Sequence, residues 1–186
     1  MELGGKESRS IKKIKMINNN KILLYTVTFF GTGLLSKKMP GTIGSLFASI
    51  FSYLLPKYSI IFYTIAVILF IIGTITSQKY VITYPKNKDP GFIVIDEACA
   101  IFLSNAILLD IFEYNYTLFL LSFLFFRLFD ILKPFPIRKI ETYCKNNEVL
   151  NGFGIMIDDI MAVIPTILTI IIIVYLLQNY MIYGFN

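Results

Sequence analysis

The sequence predicts an all-α protein, a polytopic membrane helical bundle with a polar site at the cytoplasmic membrane interface. Hydrophobic residues make up 56% of the 186 residues and charged residues only 16%, whereas soluble domains have fewer of the first and more of the second. The apolar residues also form long stretches, and the few charged residues inside these stretches lie mostly near the ends that are predicted to face the cytoplasm. The length suits a single domain.

The lengths of six apolar stretches predict which of them cross a membrane. They cover residues 22–35, 42–55, 59–76, 92–109, 116–132 and 160–177. Crossing a bilayer takes about 20 apolar residues, with about 17 as the lower limit, so the last four stretches qualify. The first is interrupted by Gly31 and Gly33 and the second is short, so we expect either to be a half-buried helix against the bundle or the membrane face.

The distribution of Lys and Arg predicts the orientation. Basic residues concentrate in the N-terminal segment 1–21, which has no signal-peptide cleavage pattern, and in the connections 77–91 and 133–159. In the connection 110–115 the only charged residues are acidic, and the tail 178–186 carries no charge. Since basic connections tend to stay in the cytoplasm, the segments 1–21, 77–91 and 133–159 are expected there.

This orientation gives a consistent path for the chain. The stretches 42–55 and 59–76 form one hairpin, 92–109 and 116–132 form a second, and 160–177 crosses last. Lys57, in a tight turn on the outer side, is the exception to the charge rule. We therefore expect a basic cytoplasmic head at 1–21, one helical domain at 22–180 and a short tail at 181–186.

Missing residue types exclude several chemistries. The chain has no His and only two Cys, so an imidazole base and a zinc cage are both excluded for this chain alone. Any metal must be held mainly by oxygen atoms. Oxygen ligands favour hard cations, and Mg²⁺ above all where phosphate is the substrate.

Polar residues from four parts of the chain converge on the predicted cytoplasmic side. Ionisable residues inside apolar spans cost about 2.5–3.5 kcal/mol each at a central position, so several at one depth indicate a site. Taken singly, the acidic residues could also simply interact with the positive ends of helix dipoles. Arg127 and Asp130, at i and i+3, could also form a simple ion pair. The residues are Asp96 and Glu97; Arg127, Asp130 and Lys133; Asp158 and Asp159; and Lys37 and Lys38 with the turn from Pro40 to Ser45.

These residue types suit a metal and a phosphate. Carboxylates supply Mg²⁺ ligands, and Lys and Arg supply positive charge for phosphate oxygens. Small residues at a helix start let backbone N–H groups approach an anion, although Thr42 also fits a simple N-cap. The expected metal ligands are Asp96, Glu97, Asp158 and Asp159, and the expected phosphate-binding residues are Arg127, Lys133, Arg138, Thr42 and Ser45.

The segment after residue 132 is predicted to change the chain direction. Pro134 and Pro136 end the preceding helix, and the spacing of Ile137, Ile140 and Tyr143 predicts a short interfacial helix. A loop is expected at 145–151. Two glycines at 152 and 154 are expected either to turn the chain tightly into Asp158 and Asp159 or to be a mere connector.

Four sequence blocks follow one another along the chain: Pro40-Gly41-Thr42-x-Gly44-Ser45, Ile93-Val94-x-Asp96-Glu97, Phe126-Arg127-x-x-Asp130-x-x-Lys133-Pro134-x-Pro136-Ile137-Arg138 and Gly152-x-Gly154-Ile155-Met156-x-Asp158-Asp159. In this order they resemble the signature of the bacterial phosphatidylglycerophosphatase A family, over roughly residues 28 to 165. The resemblance implies a Mg²⁺-dependent phosphatase of the bacterial inner membrane, which converts phosphatidylglycerophosphate to phosphatidylglycerol in phospholipid synthesis. Its expected partners are this lipid and the membrane, with no nucleic acid and no obligate protein partner. Ala100, where the family usually has Gly, and Lys37-Lys38-Met39 before Pro40 depart from the family pattern.

The expected catalytic residues are Asp96, Asp130 and Asp159. Asp130 either orients Arg127 or joins the metal ligands, and the attacking group is either a metal-activated water, which we favour, or an aspartate. The alternative function is a small ion- or proton-translocating protein or a structural membrane protein with a carboxylate cluster. A translocation pathway predicts polar residues spread through the membrane depth, whereas here they gather at one end.

Overall fold

The computed structural model describes residues 21–84, 90–145 and 150–183, and within these ranges every regular element is helical. The predicted all-α class is thus confirmed. Most of the basic head at 1–21, the connection 85–89 and part of the predicted loop at 145–151 lie outside the described residues. The helices are α1 (described from residue 21 to 27), α2 (Pro40–Leu54), α3 (Ser59–Thr83), α4 (Ile95–Ile111), α5 (Tyr116–Leu132), α6 (Ile137–Lys145) and α7 (Asn151–Tyr183), with a 3-10 turn at Thr32–Leu34.

Helix α4 lies at the centre of the bundle. It packs against α2, α3, α5 and α7, and it is buried along most of its length. Small residues such as Ala98, Ala100 and Ala106 let the neighbouring helices approach it. The first turn of α4 is therefore surrounded by other helices, and that turn carries Asp96 and Glu97.

Helix α2 is half-buried, as the sequence predicted for 42–55. Its buried face is made of small residues at helical spacing, namely Gly41, Gly44, Ser45, Ala48 and Ser52. A Cβ atom on Gly44 would lie 2.6 Å from the Cβ of Val94. The opposite face exposes large apolar side chains, so α2 presents an apolar outer surface.

The predicted N-cap of α2 is wrong. The cap position is Met39, which makes no side-chain cap bond, and Pro40 occupies the first helical turn. Proline suits that position because its fixed φ is already helical and no N–H is needed there. Thr42 thus lies inside the helix.

The predicted turn at Gly152 and Gly154 is also wrong, because both residues lie inside α7. A Cβ atom on Gly152 would lie 2.5 Å from the backbone nitrogen of Gln78, and one on Gly154 would lie 2.3 Å from the Cβ of Cys144. The two glycines allow α3 and α6 to pack closely against α7. As a result Asp158 and Asp159 project from the interior of a long helix and do not precede it.

Helix α4 begins later than its apolar stretch. Val94 is its N-cap residue, and the Val94 N–H donates to the carbonyl of Val27 at 2.9 Å. Asp96 and Glu97 therefore lie in the first helical turn, although the apolar stretch of this region begins at residue 92.

Among the described residues, two helices are long and apolar enough to cross a membrane, Ser59–Thr83 and the part of α7 at Asn151–Tyr180. Helices α4 and α5 have 17 residues each, which is about the lower limit for a span. Ile60, Val67 and Ile75 are among many large apolar side chains left exposed on α3, as expected for a helix that faces lipid. The crossing of α4 and α5 stays a prediction.

Lys57, the exception to the charge rule, caps a helix. Its ammonium donates to the carbonyls of Ser52, at 3.0 Å, and of Tyr53. It also lies 4.9 Å from the ring centroid of Tyr114 and 5.3 Å from that of Phe119. Cations are favourable at a helix C-terminus, so this charge has a local structural role at the end of the bundle opposite to the carboxylates.

Candidate cation and phosphate site

Three carboxylates meet where the start of α4 contacts α7. Asp96 and Glu97 come from the first turn of α4 and Asp159 from the interior of α7. Each offers an oxygen atom within 4.8 Å of the others, and all three residues are buried. We call this group the carboxylate cluster.

The donor set of the carboxylate cluster fits a divalent cation. Glu97 Oε2 and Asp159 Oδ2 are buried and have no hydrogen-bond partner among the described residues. Burying an ionised carboxylate without compensation is costly, and a hard cation with oxygen ligands would supply that compensation.

Arg127 supplies positive charge beside the cluster. Its Nη1 atom lies 3.6 Å from Glu97 Oε1 and 2.5 Å from Asp130 Oδ2. Asp130 therefore contacts the guanidinium, and its role, either orienting Arg127 or joining the metal ligands, stays a prediction. The Nε atom of Arg127 is buried with no partner among the described residues, so it is a donor available to a ligand.

Gly41, at the start of α2, forms a wall of the site. A Cβ atom at this position would lie 2.1 Å from Glu97 Oε1 and 3.1 Å from both Nη atoms of Arg127. Only glycine lets the backbone of α2 come this close to the cluster. The start of a helix also favours an anion, and here the Glu97 carboxylate lies against it.

The structure separates the two hydroxyl residues predicted to bind phosphate. Ser45 is buried, and its hydroxyl donates to the Gly41 carbonyl at 2.7 Å. Because a serine has one hydroxyl donor, Ser45 has none left for a phosphate in this conformation. Thr42 is half-buried in the first turns of α2, and its phosphate-binding role stays a prediction.

Lys133 joins three helices beside the cluster. It follows the end of α5 in a left-handed conformation, with φ of 42°. Its Nζ atom bonds Glu141 Oε1 of α6 at 2.8 Å and Asp158 Oδ2 of α7 at 2.7 Å. Burial lowers the pKa of Lys133, but these two carboxylates outweigh burial and raise the pKa above its usual value. Lys133 thus stays charged.

Asp158 therefore forms an ion pair with Lys133 and does not belong to the carboxylate cluster. The sequence prediction treated Asp158 and Asp159 as equivalent metal ligands. Successive residues of a helix project about 100° apart, so one faces the α5–α6 corner and the other faces the cluster.

The structure places Arg138 away from the cluster and reveals two residues that the sequence prediction missed. Arg138 is exposed on the outer face of α6. Glu141 lies on the inner face, because Ile137, Ile140 and Cys144 point inward at helical spacing, a pattern that would have identified it. Gly41 was quoted in a motif but was not singled out, since its close approach to Glu97 is a tertiary contact.

The fold and the site define a class: a helical membrane protein with a buried carboxylate cluster that could hold a cation, beside an arginine and a lysine, an arrangement that suits phosphoryl transfer. The family model of phosphatidylglycerophosphatase A matches residues 25–174. The chain belongs to this family.

Similar proteins agree with this membership. The phosphatidylglycerophosphatase A of Haemophilus influenzae is 35% identical over 91% of this chain and 97% of its own length. That of Escherichia coli K12 is 35% identical over 72% of each chain. A Bacteroides thetaiotaomicron protein, provisionally named a phosphatidylinositol-3-phosphatase, is 33% identical over 73% of this chain and 82% of its own. No solved structure matches the chain.

Proposed function

We propose that this protein hydrolyses the terminal phosphate of phosphatidylglycerophosphate, giving phosphatidylglycerol and phosphate in phospholipid synthesis. The observation that carries the proposal is a buried carboxylate cluster with unpartnered oxygens, placed next to an arginine with an unpartnered Nε donor. Membership of the phosphatidylglycerophosphatase A family supports the same substrate.

We propose Mg²⁺ as the cation of the carboxylate cluster, held by Asp96, Glu97 and Asp159. When bound, Mg²⁺ neutralises phosphate charge and favours attack at phosphorus. Oxygen-only ligands and a phosphate substrate favour this ion over softer metals.

The side chains of the protein bind and orient the phosphate. Arg127 contributes positive charge and its Nε donor, and Asp130 fixes the position of the Arg127 guanidinium. Lys133 adds a permanent positive charge at the edge of the carboxylate cluster. Glu97 Oε2 and Asp159 Oδ2 are acceptors without a partner, so either can orient an attacking water by accepting its hydrogen bond. A water is our preferred nucleophile, with an aspartate as the alternative.

We further propose a multi-pass protein of the bacterial inner membrane with the site on the cytoplasmic side. The starts of α2 and α4 and the end of α5 meet at the site, next to the basic connections of the sequence. Two helices meet the length requirement for a span, and the positive-inside tendency supports the orientation.

The test compares Asp96→Asn and Asp159→Asn with Asp110→Asn in purified protein mixed with phosphatidylglycerophosphate and detergent. Asp110 is a matched control because it lies at the other end of α4, where Tyr63 donates a hydrogen bond to it. We expect the two cluster variants to lose at least about 100-fold in phosphate release, the size typical of a removed electrostatic element, and the control to keep its rate. Near-normal release by both cluster variants would contradict the assignment.

Magnesium is tested separately by rate and by stability. Chelator should abolish phosphate release, and Mg²⁺ should restore it. Mg²⁺ should also raise the Tm of the unliganded wild-type protein, because a ligand that binds only the folded state stabilises it, and should not raise that of Asp159→Asn. A cation-independent rate would contradict the metal proposal, and phosphatidylinositol 3-phosphate as a parallel substrate would reveal a different specificity.

The ion-translocation alternative has weaker support in the structure. Two pairs of polar side chains bond within the middle of the bundle, with Asn105 Nδ2 donating to Ser52 Oγ at 2.9 Å and the Ser122 hydroxyl donating to Ser104 Oγ at 2.8 Å. These pairs tie α4 to α2 and α5. Cation-dependent phosphate release distinguishes the enzyme from both a translocator and a scaffold.

A further inference from the structure

A groove lies beside the corner between α5 and α6, next to the carboxylate cluster. Its volume is about 950 Å³, enough for a lipid headgroup. We call it the α6 groove. It is lined by Lys133, Phe135, Arg138, Lys139, Ile140, Thr142 and Tyr143.

The α6 groove combines a mostly apolar lining with cations and exposed aromatic residues. Among the described residues that line it, three are Lys or Arg and none is acidic. The Lys139 ammonium lies 5.1 Å from the ring centroid of Phe135. Phe135 and Tyr143 are 76% and 70% exposed, and exposed aromatic residues beside Lys and Arg are typical of the membrane–water interface. The groove therefore suits an anionic group at headgroup depth.

The groove adjoins the carboxylate cluster through one side chain. Lys133 lines the groove, and its ammonium bonds Asp158, the neighbour of Asp159 in α7.

The other two cations point away from the cluster. Arg138 and Lys139 are exposed on the outer face of α6, whereas Glu141 on the inner face bonds Lys133. Their position does not suit the phosphate held by Arg127. It suits a second anionic group of the same ligand.

We propose that the α6 groove binds the phosphodiester of the lipid whose terminal phosphate is held at the carboxylate cluster. This inference rests on the proposed function, because phosphatidylglycerophosphate carries a phosphodiester and a phosphomonoester joined by one glycerol. Arg138 and Lys139 bind the diester, and Phe135 and Tyr143 contact the adjoining glycerol and acyl ester region. The groove then selects lipids with two phosphates over those with a single terminal phosphate.

The test is the double variant Arg138→Gln with Lys139→Gln, compared with Lys79→Gln. Lys79 is an exposed lysine near the end of α3, at the same end of the bundle and outside the groove. We expect the double variant to raise the KM for phosphatidylglycerophosphate about tenfold with kcat within about twofold, because charge-assisted contacts to the substrate are lost in the ground state and in the transition state alike. The control should keep both constants.

Soluble inhibitors identify which anion the groove binds. Glycerophosphoglycerol carries the diester of the headgroup without acyl chains, and inorganic phosphate represents the terminal group. We expect the double variant to weaken inhibition by glycerophosphoglycerol about tenfold, in proportion to the KM change, and to leave inhibition by inorganic phosphate unchanged.

Each other outcome overturns the inference. An unchanged KM would show that the groove does not bind the substrate. Equal weakening of both inhibitors would place Arg138 and Lys139 at the terminal phosphate, and a KM change without any change in glycerophosphoglycerol inhibition would assign the groove to neighbouring anionic lipids. A wild-type protein that releases no phosphate from the lipid would overturn the proposed function itself, and the inference with it.

Discussion

At the scale of single residues, the site depends on which way each charged side chain points. Asp158 and Asp159 are adjacent, yet Asp158 bonds Lys133 and Asp159 joins Asp96 and Glu97. The sequence predicted the right residue types. It did not predict that the two carboxylates have different partners. The partner of each carboxylate is set by the helix that packs against the face of α7 on which the carboxylate lies.

Gly41→Ala tests how closely α2 must approach the cluster. The added Cβ would lie 2.1 Å from Glu97 Oε1, so Glu97 and Arg127 must shift. Displacing catalytic groups by about 1 Å costs on the order of 100-fold, and we expect a loss of that size in kcat/KM. Gly91→Ala is the control, because the nearest atom to its Cβ would be Pro40 Cγ at 4.0 Å. Equal activity of the two variants would contradict the role given to Gly41.

Glu141 is predicted to act by positioning Lys133. We expect Glu141→Gln to lower kcat about tenfold, the size of one charged interaction, and Lys133→Met to lower it at least as much. Since both act through one ammonium, the double variant should equal Lys133→Met alone. Steady-state rates of the three variants check this, and additive losses would show that Glu141 acts independently of Lys133.

At the scale of elements, the glycines of α7 show why the start of this helix was predicted wrongly. Glycine next to a polar segment is typical of a turn, and the sequence interpretation placed a turn there. In the structure Gly154 lies inside a helix, and Cys144 of α6 occupies the space that a side chain at this position would need. Sequence spacing contains no information about that neighbour.

Gly154→Ala is predicted to push α6 away from α7. Its Cβ would lie 2.3 Å from the Cβ of Cys144, and such overpacking typically costs about 1–3 kcal/mol. We expect a lower Tm in detergent and weaker phosphate release, since α6 carries Glu141. Adding Cys144→Gly removes the obstructing atom, so the double variant should be more stable than the sum of the two single effects. Strict additivity would contradict a direct clash.

At the scale of the whole molecule, the bundle has two chemically different ends. The carboxylates, Arg127 and Lys133 lie at one end, and the Lys57 cap with Asp110 lies at the other. If α4 and α5 cross the bilayer, these ends face opposite sides of the membrane.

Single cysteines test this arrangement. Lys79→Cys and Glu113→Cys are placed at exposed positions of the two ends, in a chain with Cys99→Ala and Cys144→Ala. In intact bacterial spheroplasts, an impermeant maleimide should label position 113, and it should label position 79 only after lysis, as the positive-inside tendency requires. Labelling of both positions from one side would contradict the two-hairpin topology.

The sequence by itself determined the helical membrane class, the short helix after residue 136 and, except for Glu141, the carboxylates and cations that meet at the site. These follow from local properties, namely apolar length, proline geometry and the cost of charge in an apolar stretch. Only the tertiary structure decided that Gly41 borders Glu97, that Glu141 bonds Lys133 and that Ser45 serves its own helix. Those contacts join residues of different helices or depend on the face a residue turns inward, and packing fixes both only when the helices come together.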